Sequence, residues 1–208
     1  MKRLTFLLTL TLLVSITVYA QSPFKNCAAA GRAKKTIKNP TGKISANTKT
    51  QNLQKNRDDG PSDSDIDTTI SIEDLLNKNN DKKFRSNQGV TITGFVADVT
   101  PGGKQESCNC GRKDLQDIHI ALVAKESDAT NNDKHLVVEI SPKFQSDLGS
   151  YKTVRKALKG QWVKFTGWLF YDSIHKQNAV NNNGKGNLWR KTIWEVHPVS
   201  AYEIVDAP

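Results

Sequence analysis

Between Gly89 and Val205 the chain alternates apolar and polar residues with period two in one segment after another, and each such segment has to bury one face of a strand. Val90 to Val99 alternates and is closed by Thr100-Pro101-Gly102-Gly103, a strong turn signal. Asp117 to Ala124 follows, with Ile118, Ile120 and Leu122 on one face and Asp117, His119 and Ala121 on the other. A polar loop, Ser127 to Asp133, leads to a third strand over His135 to Ile140. Ser141-Pro142 then offers an N-cap with Pro at the first helical position, and Val154 and Leu158 lie one turn apart before Gly160. That segment reads as one helix, with a break at Gly149. Trp162 to Tyr171 is an unusually apolar strand, Gln177 to Asn187 an Asn/Gly loop, and a last strand runs from Trp189 or Lys191 to Val205, with Pro198 marking a bulge or an edge.

The order strand, strand, strand, helix, strand, strand within about 120 residues predicts a mainly β fold, the five-stranded Greek-key barrel of the OB type. Gly94 and Gly167, in the middle of strands one and four, fit strands that bend tightly around such a barrel. A half-open sandwich with a stray helix is the alternative topology. Internal repeats are absent, which sets solenoids and propellers aside.

Ahead of the barrel, assigned to residues 88–208, three further segments differ in composition. Residues 1–20 carry Lys2 and Arg3, an apolar stretch from Leu4 to Val18, and small residues Val18 and Ala20, the pattern of a cleaved signal peptide. The apolar stretch is short of the roughly 20 residues a membrane span needs, so the mature chain is expected without a transmembrane segment, exported to the periplasm or the medium. Residues 21–60 hold nine Lys and Arg against Asp58 and Asp59, a net +7, which leaves residues 61–208 neutral. Lacking an apolar face, this segment reads as a flexible basic arm. Residues 61–87 are an acidic linker in which Ser71, as N-cap, starts a short helix with Glu73 and Asp74 in its first turn. The mean hydropathy of −0.55 excludes a polytopic membrane protein.

The segments Gly94-Phe95-Val96-Ala97-Asp98-Val99, Glu106-Ser107-Cys108-Asn109-Cys110, Asp117-Ile118-His119-Ile120, Gly167-Trp168-Leu169-Phe170 and Trp194-Glu195-Val196-His197-Pro198-Val199 resemble those of uncharacterised secreted bacterial proteins with an OB-like domain. The resemblance implies compartment and fold and no catalytic activity. The carboxylates and paired arginines of the thermonuclease site, another secreted OB barrel, have no counterpart here.

Three groups of residues carry candidate chemistry. Three cysteines are an odd number for an exported protein. Cys108 and Cys110 are too close in sequence for an easy mutual disulfide, so Cys27 paired with Cys108 or Cys110 is one reading; a Cys-x-Cys metal grip and a redox thiol are the others. Next, His119, His175 and His197, each with a carboxylate nearby in sequence (Asp117, Asp172, Glu195), could join Cys108 and Cys110 around Zn²⁺ or a similar ion. The bland alternative has Asp117 and His119 hydrogen-bonded at the barrel surface and His197 at a strand bend. Finally, Trp189, Arg190 and Lys191 follow the Asn181-Asn182-Asn183-Gly184 loop and offer an aromatic and two cations as a recognition surface.

No acid–base–metal motif is complete, so the sequence favours a non-catalytic exported OB module without a cofactor, binding nucleic acid, an oligosaccharide or a small molecule. The basic arm would attract a polyanionic partner. A metal-dependent hydrolase centred on His119, His175 and His197, and a protein-interaction module of the cell envelope, are the other classes. The signal-peptide reading predicts that intact mass analysis of exported protein finds a chain beginning at or near Gln21; an exported chain that retains Met1 would refute it.

Overall fold

The computed structural model describes Phe24 and residues 26–80 and 82–208, so the expected signal peptide lies outside the described residues. Five strands, β1 (Gly89–Pro101), β2 (Ile118–Val123), β3 (Leu136–Ile140), β4 (Trp162–Tyr171) and β5 (Trp194–Val205), close into a barrel in the order β1-β2-β3-β5-β4. Every neighbouring pair is antiparallel except β3 with β5, which is parallel. This is the expected barrel, with helical structure between β3 and β4. Its interior is filled by residues of matching parity, among them Val90, Ile92, Ile118, Ile120, Leu122, Val138, Phe165, Leu169 and Val196.

Helix α3 (Gln145–Leu148) and helix α4 (Tyr151–Leu158) replace the single expected helix. They part at Gly149, whose φ of 108° ends the first before Ser150 caps the second. Val154 and Leu158, one turn apart, bury their side chains in the barrel core. The start of β5 is later than expected, at Trp194, because Arg190 makes only an isolated bridge to Ala179 and the chain bends at Lys191 and Ile193.

Two glycines let strands approach more closely than a side chain permits. A Cβ on Gly167 would lie 2.5 Å from the Pro198 carbonyl oxygen, where β5 bends at the cis His197–Pro198 peptide and the β4–β5 register shifts. A Cβ on Gly94 would lie 2.7 Å from Leu122 Cγ on the neighbouring strand β2. Gly167 sits at an irregularity of the β4–β5 ladder, as expected of a bending strand, whereas Gly94 pairs regularly with Val163 and serves close packing.

The segment ahead of the barrel departs most from expectation. Over its described residues the presumed flexible arm is built into the molecule. Helix α1 (Ala46–Lys55), N-capped by Ser45, buries Gln51, Asn52 and Lys55 against the outside of the barrel. Asn52 donates to Ala30 O at 2.9 Å, Asn56 donates to Ala29 O and to Cys108 O at 2.8 Å each, and the Arg57 guanidinium lies 3.7 Å above the Trp168 ring. A disulfide joins Cys27 to Cys110 and ties the segment to the β1–β2 loop. Apolar periodicity misses this helix because the face it buries is polar: amides satisfy backbone carbonyls where hydrocarbon would normally fill space.

In the acidic linker, helix α2 (Ile72–Leu76) opens with a complete capping box between Ser71 and Asp74 and inserts Ile72 and Leu75 into the core. The expected short helix is thus present and packs on the barrel. Among the described residues no helix is long and apolar enough to cross a membrane.

The contact at Gly167 has a measurable consequence. Gly167→Ala forces a methyl group onto a backbone oxygen in a closed sheet, and the expected loss is ~1–3 kcal/mol of unfolding free energy, read from urea denaturation. A neutral substitution would show that β4 and β5 separate freely at the bend.

Candidate functional site

Strand register produces the densest chemistry on the outer face of the barrel. His119 of β2 stands opposite Glu139 of β3, and the parallel pairing of Val137 with Glu195 and Val138 with Val196 carries the row on to His197 of β5. His119 Nε2 lies 3.2 Å from Glu139 Oε1, and His197 Nδ1 lies 2.8 Å from Glu139 Oε2. Asp117 enters from the end of the β1–β2 loop, accepting from Asn109 Nδ2 at 3.1 Å, with the Cys108 thiol 3.8 Å from the same oxygen. Glu106 closes this side, 3.7 Å from His119 Nε2 and 3.5 Å from Cys108 Sγ.

Helix α1 and the disulfide-tied loop bury this row under Lys55 and Phe170. Asp117, Glu139 and His197 are at most 2% exposed. Burial pushes the Asp117 carboxyl up, and despite the opposing charge of His197 it reaches about 7. Burial also works against charge on Glu139, yet His119, His197 and Lys55 together hold it well below the usual carboxylate range. For His197, burial is outweighed by the Glu139 and Glu195 carboxylates, which raise the ring to about 10. Burial pushes the Cys108 thiol up, reinforced by Asp117.

A second ionic group adjoins the first. Arg190, fully buried, donates to Glu195 Oε1 at 2.6 Å and to Asp172 Oδ2 at 3.1 Å, and its Nε donates to Thr192 O at 2.6 Å. Asp172 Oδ2 also receives His175 Nδ1 at 2.5 Å. The ionisable side chains therefore run without a break from Glu106 and His119 at one rim to His175 at the other.

Beside His119 the wall of β1, β2 and β3 forms a groove of about 260 Å³. Asp98, Thr100, His119, Ile120, Ala121, Asn132, His135, Val137 and Trp189 line it. Trp189 stands edge-on to His175, ring centroids 5.7 Å apart. Burial pushes the His135 ring below its ordinary value.

These positions divide the residues singled out from sequence. Of the metal candidates, His119, His197 and Cys108 gather around Glu139 and Asp117. Cys110 is taken by the disulfide to Cys27, which removes the Cys-x-Cys grip, and His175 pairs with Asp172 at the far end of the chain of charges. Of the recognition trio, Trp189 lines the groove and Lys191 faces a different depression, beside Leu76 and Lys134. Arg190 is not a recognition residue at all, because two buried carboxylates consume its guanidinium.

Glu139, Lys55 and Glu106 were missed. Glu139 was legible in principle, as the single acid at an outward position of an otherwise apolar strand, in register with His119. Lys55 belonged to a segment with no pattern to place it.

The Asp172 partnership makes His175 a pH-dependent contributor to stability. The hydrogen bond that it donates to Asp172 raises its imidazole above the ordinary 6.5 against partial burial, aided by the Asp172 and Glu195 charges and opposed by Lys55. With the folded-state value raised, this stabilisation is complete below the unfolded value and is lost as pH rises through the folded one. Stability measured against pH is expected to fall more steeply over that window in the parent than in His175→Asn, and equal slopes would show that the pair contributes nothing. The chain matches no family model, no curated protein and no solved structure.

Proposed function

We propose that this protein is an exported, non-catalytic OB-type binding module that takes one ring of an oligomeric or small ligand, a sugar or a base, into the groove over β1, β2 and β3. The observation that carries this reading is the position of Trp189. It stands as an aromatic wall beside the outer faces of strands β2 and β3, the surface that barrels of this topology use for oligonucleotides and oligosaccharides. The apolar lining of Ala121 and Val137 suits the face of a ring, and His119, Asn132 and His135 supply polar edges. The loop that delivers Trp189 is anchored by the buried Arg190 next to it, so the ring is held in place before any ligand arrives.

Charge plays a smaller part than a free basic arm would give it. Lys55 is buried and Arg57 pairs with Asp59, while Arg32, Lys34, Lys35, Lys38, Lys43 and Lys49 remain exposed. Those cations supply a diffuse attraction to a polyanionic partner, and the groove supplies recognition.

Tryptophan fluorescence titrations with single-stranded DNA and with neutral and acidic oligosaccharides, over a range of salt, test the reading. Trp189→Ala should weaken binding by ~1–3 kcal/mol with little change in salt dependence, since stacking releases no counterions. Ala121→Trp should block the groove while leaving Trp189 in place. Changing Lys34, Lys35 and Lys38 together to Ser should reduce the salt slope for the charged ligands alone. Saturable binding unaffected by both Trp189→Ala and Ala121→Trp, in proteins that melt like the parent, would refute the groove.

A further inference from the structure

Next to the groove, and independent of any ligand in it, Asp117, Glu139 and His197 bring one donor atom each within 4.8 Å of one another. They come from three separate places in the chain: the end of the β1–β2 loop, β3 and β5. Each is almost completely buried, so water does not explain their convergence. His197 Nε2 has no hydrogen-bond partner. His197 Nδ1 is ion-paired with Glu139 Oε2 at 2.8 Å, so the unpartnered atom of the ring is Nε2. A buried polar atom without a partner is costly, and this one belongs to a ring grouped with two buried carboxylates.

We propose that Asp117, Glu139 and His197 form a binding site for a divalent transition-metal ion of the zinc class. One imidazole and two carboxylates are a borderline donor set. They are too few for calcium, whose sites take six to eight oxygens, and they equal in ligand number, with one more carboxylate and one fewer imidazole than the His2Glu type, the zinc sites that keep a further position for water or a small ligand. The surroundings have the form of supports for such ligands. His119 approaches the second oxygen of Glu139, Asn109 holds Asp117, and Glu195 lies 3.6 Å from His197 Nδ1. Glu106 and Cys108, which form a second donor triad with Asp117, lie on its loop side.

The opposing group is Lys55. Its buried ammonium sits in the field of Glu139, Glu195 and Asp172, where it supplies the positive charge that a metal ion would otherwise bring. Metal and Lys55 therefore compete for the same carboxylate field, and the site's affinity depends on how helix α1 holds this one side chain.

The test uses the full mature chain with its disulfide intact, stripped with a chelator and titrated with Zn²⁺ and with Co²⁺ by calorimetry, with elemental analysis after desalting. One equivalent is expected, with a Co²⁺ visible spectrum of low coordination number. Glu139→Gln and Asp117→Asn keep side-chain shape and should each abolish the uptake, and His119→Asn should weaken it ~10–100-fold as the loss of an orienting partner does. His175→Asn should leave it unchanged. Lys55→Met should tighten it, a gain that no merely structural role for these residues produces and that does not depend on a damaged variant. Circular dichroism and disulfide mapping accompany each protein. The proposal is overturned if the folded parent takes up no stoichiometric metal, if Glu139→Gln and Asp117→Asn bind as the parent does, if uptake disappears with His175, or if Lys55→Met does not bind more tightly. None of these measurements uses a groove ligand, so they stand or fall apart from the binding reading.

Discussion

Arg190 is a guanidinium sealed from water, and the outer layer of the molecule is organised around it. A charge in that position is tolerated only when opposite charges and hydrogen-bond acceptors surround it; removing one partner of such a buried pair typically costs about 3–5 kcal/mol. Asp172 closes β4 and Glu195 opens β5, so the single cation fastens both ends of the long connection between these strands. Its remaining donors go to the carbonyls of Thr192 and Trp194, fixing the turn that leads into β5. Trp189 and His175 acquire their places from this arrangement, and Glu195 in turn is held beside His197. The groove wall and the row of ionisable side chains are thus two consequences of one buried ion.

The same ion explains why the barrel requires a cover. An OB barrel closes its own apolar interior, and its outward positions ordinarily face solvent. Here the outward positions of β2, β3, β4 and β5 include His119, Glu139, Phe170, Glu195 and His197, a mixture of ring and charge that water would compete for. Helix α1, Lys55 and the Cys27–Cys110 disulfide lay a second layer over them. Lys55 lies 5.2 Å from the Phe170 ring centroid, so the covering layer brings a cation to a surface rich in carboxylate. In that dry, low-dielectric layer each charge strongly perturbs its neighbours, which is why Asp117, Glu139, Glu195 and His197 all depart from their ordinary ionisation together.

Legibility in the sequence follows from what kind of force places each element. The five strands were readable because hydrophobic burial imposes a period of two, and Gly94 and Gly167 because close backbone approach excludes a side chain. Helix α2 was readable through Ser71 and Asp74, a local hydrogen-bond exchange with a fixed spacing. Helix α1 was not, since Gln51, Asn52 and Asn56 act through long-range hydrogen bonds to Tyr171, Ala30, Ala29 and Cys108, and such bonds leave no periodic trace. The sequence suggests one group of His119, His175 and His197, and the structure separates His175 from the other two. His175 belongs with Arg190 and His197 with Glu139, and only the register of three strands tells them apart.

That register also resolves a difficulty that sequence order presents. Strands β2 and β5 are not neighbours in this barrel, so His119 and His197 cannot meet directly. Between them runs β3, parallel to β5 and antiparallel to β2, and Glu139 is its one outward acid. A carboxylate has two oxygens, and Glu139 turns one toward each imidazole: Oε1 to His119, which is a quarter exposed at the groove, and Oε2 to His197, which is sealed in the interior of the outer layer. His119 is therefore the point at which the groove and the buried row share a side chain. Any ligand that changes the charge or hydrogen bonding of His119 acts on Glu139 through a 3.2 Å contact, and through Glu139 on His197, Glu195 and Arg190 in turn.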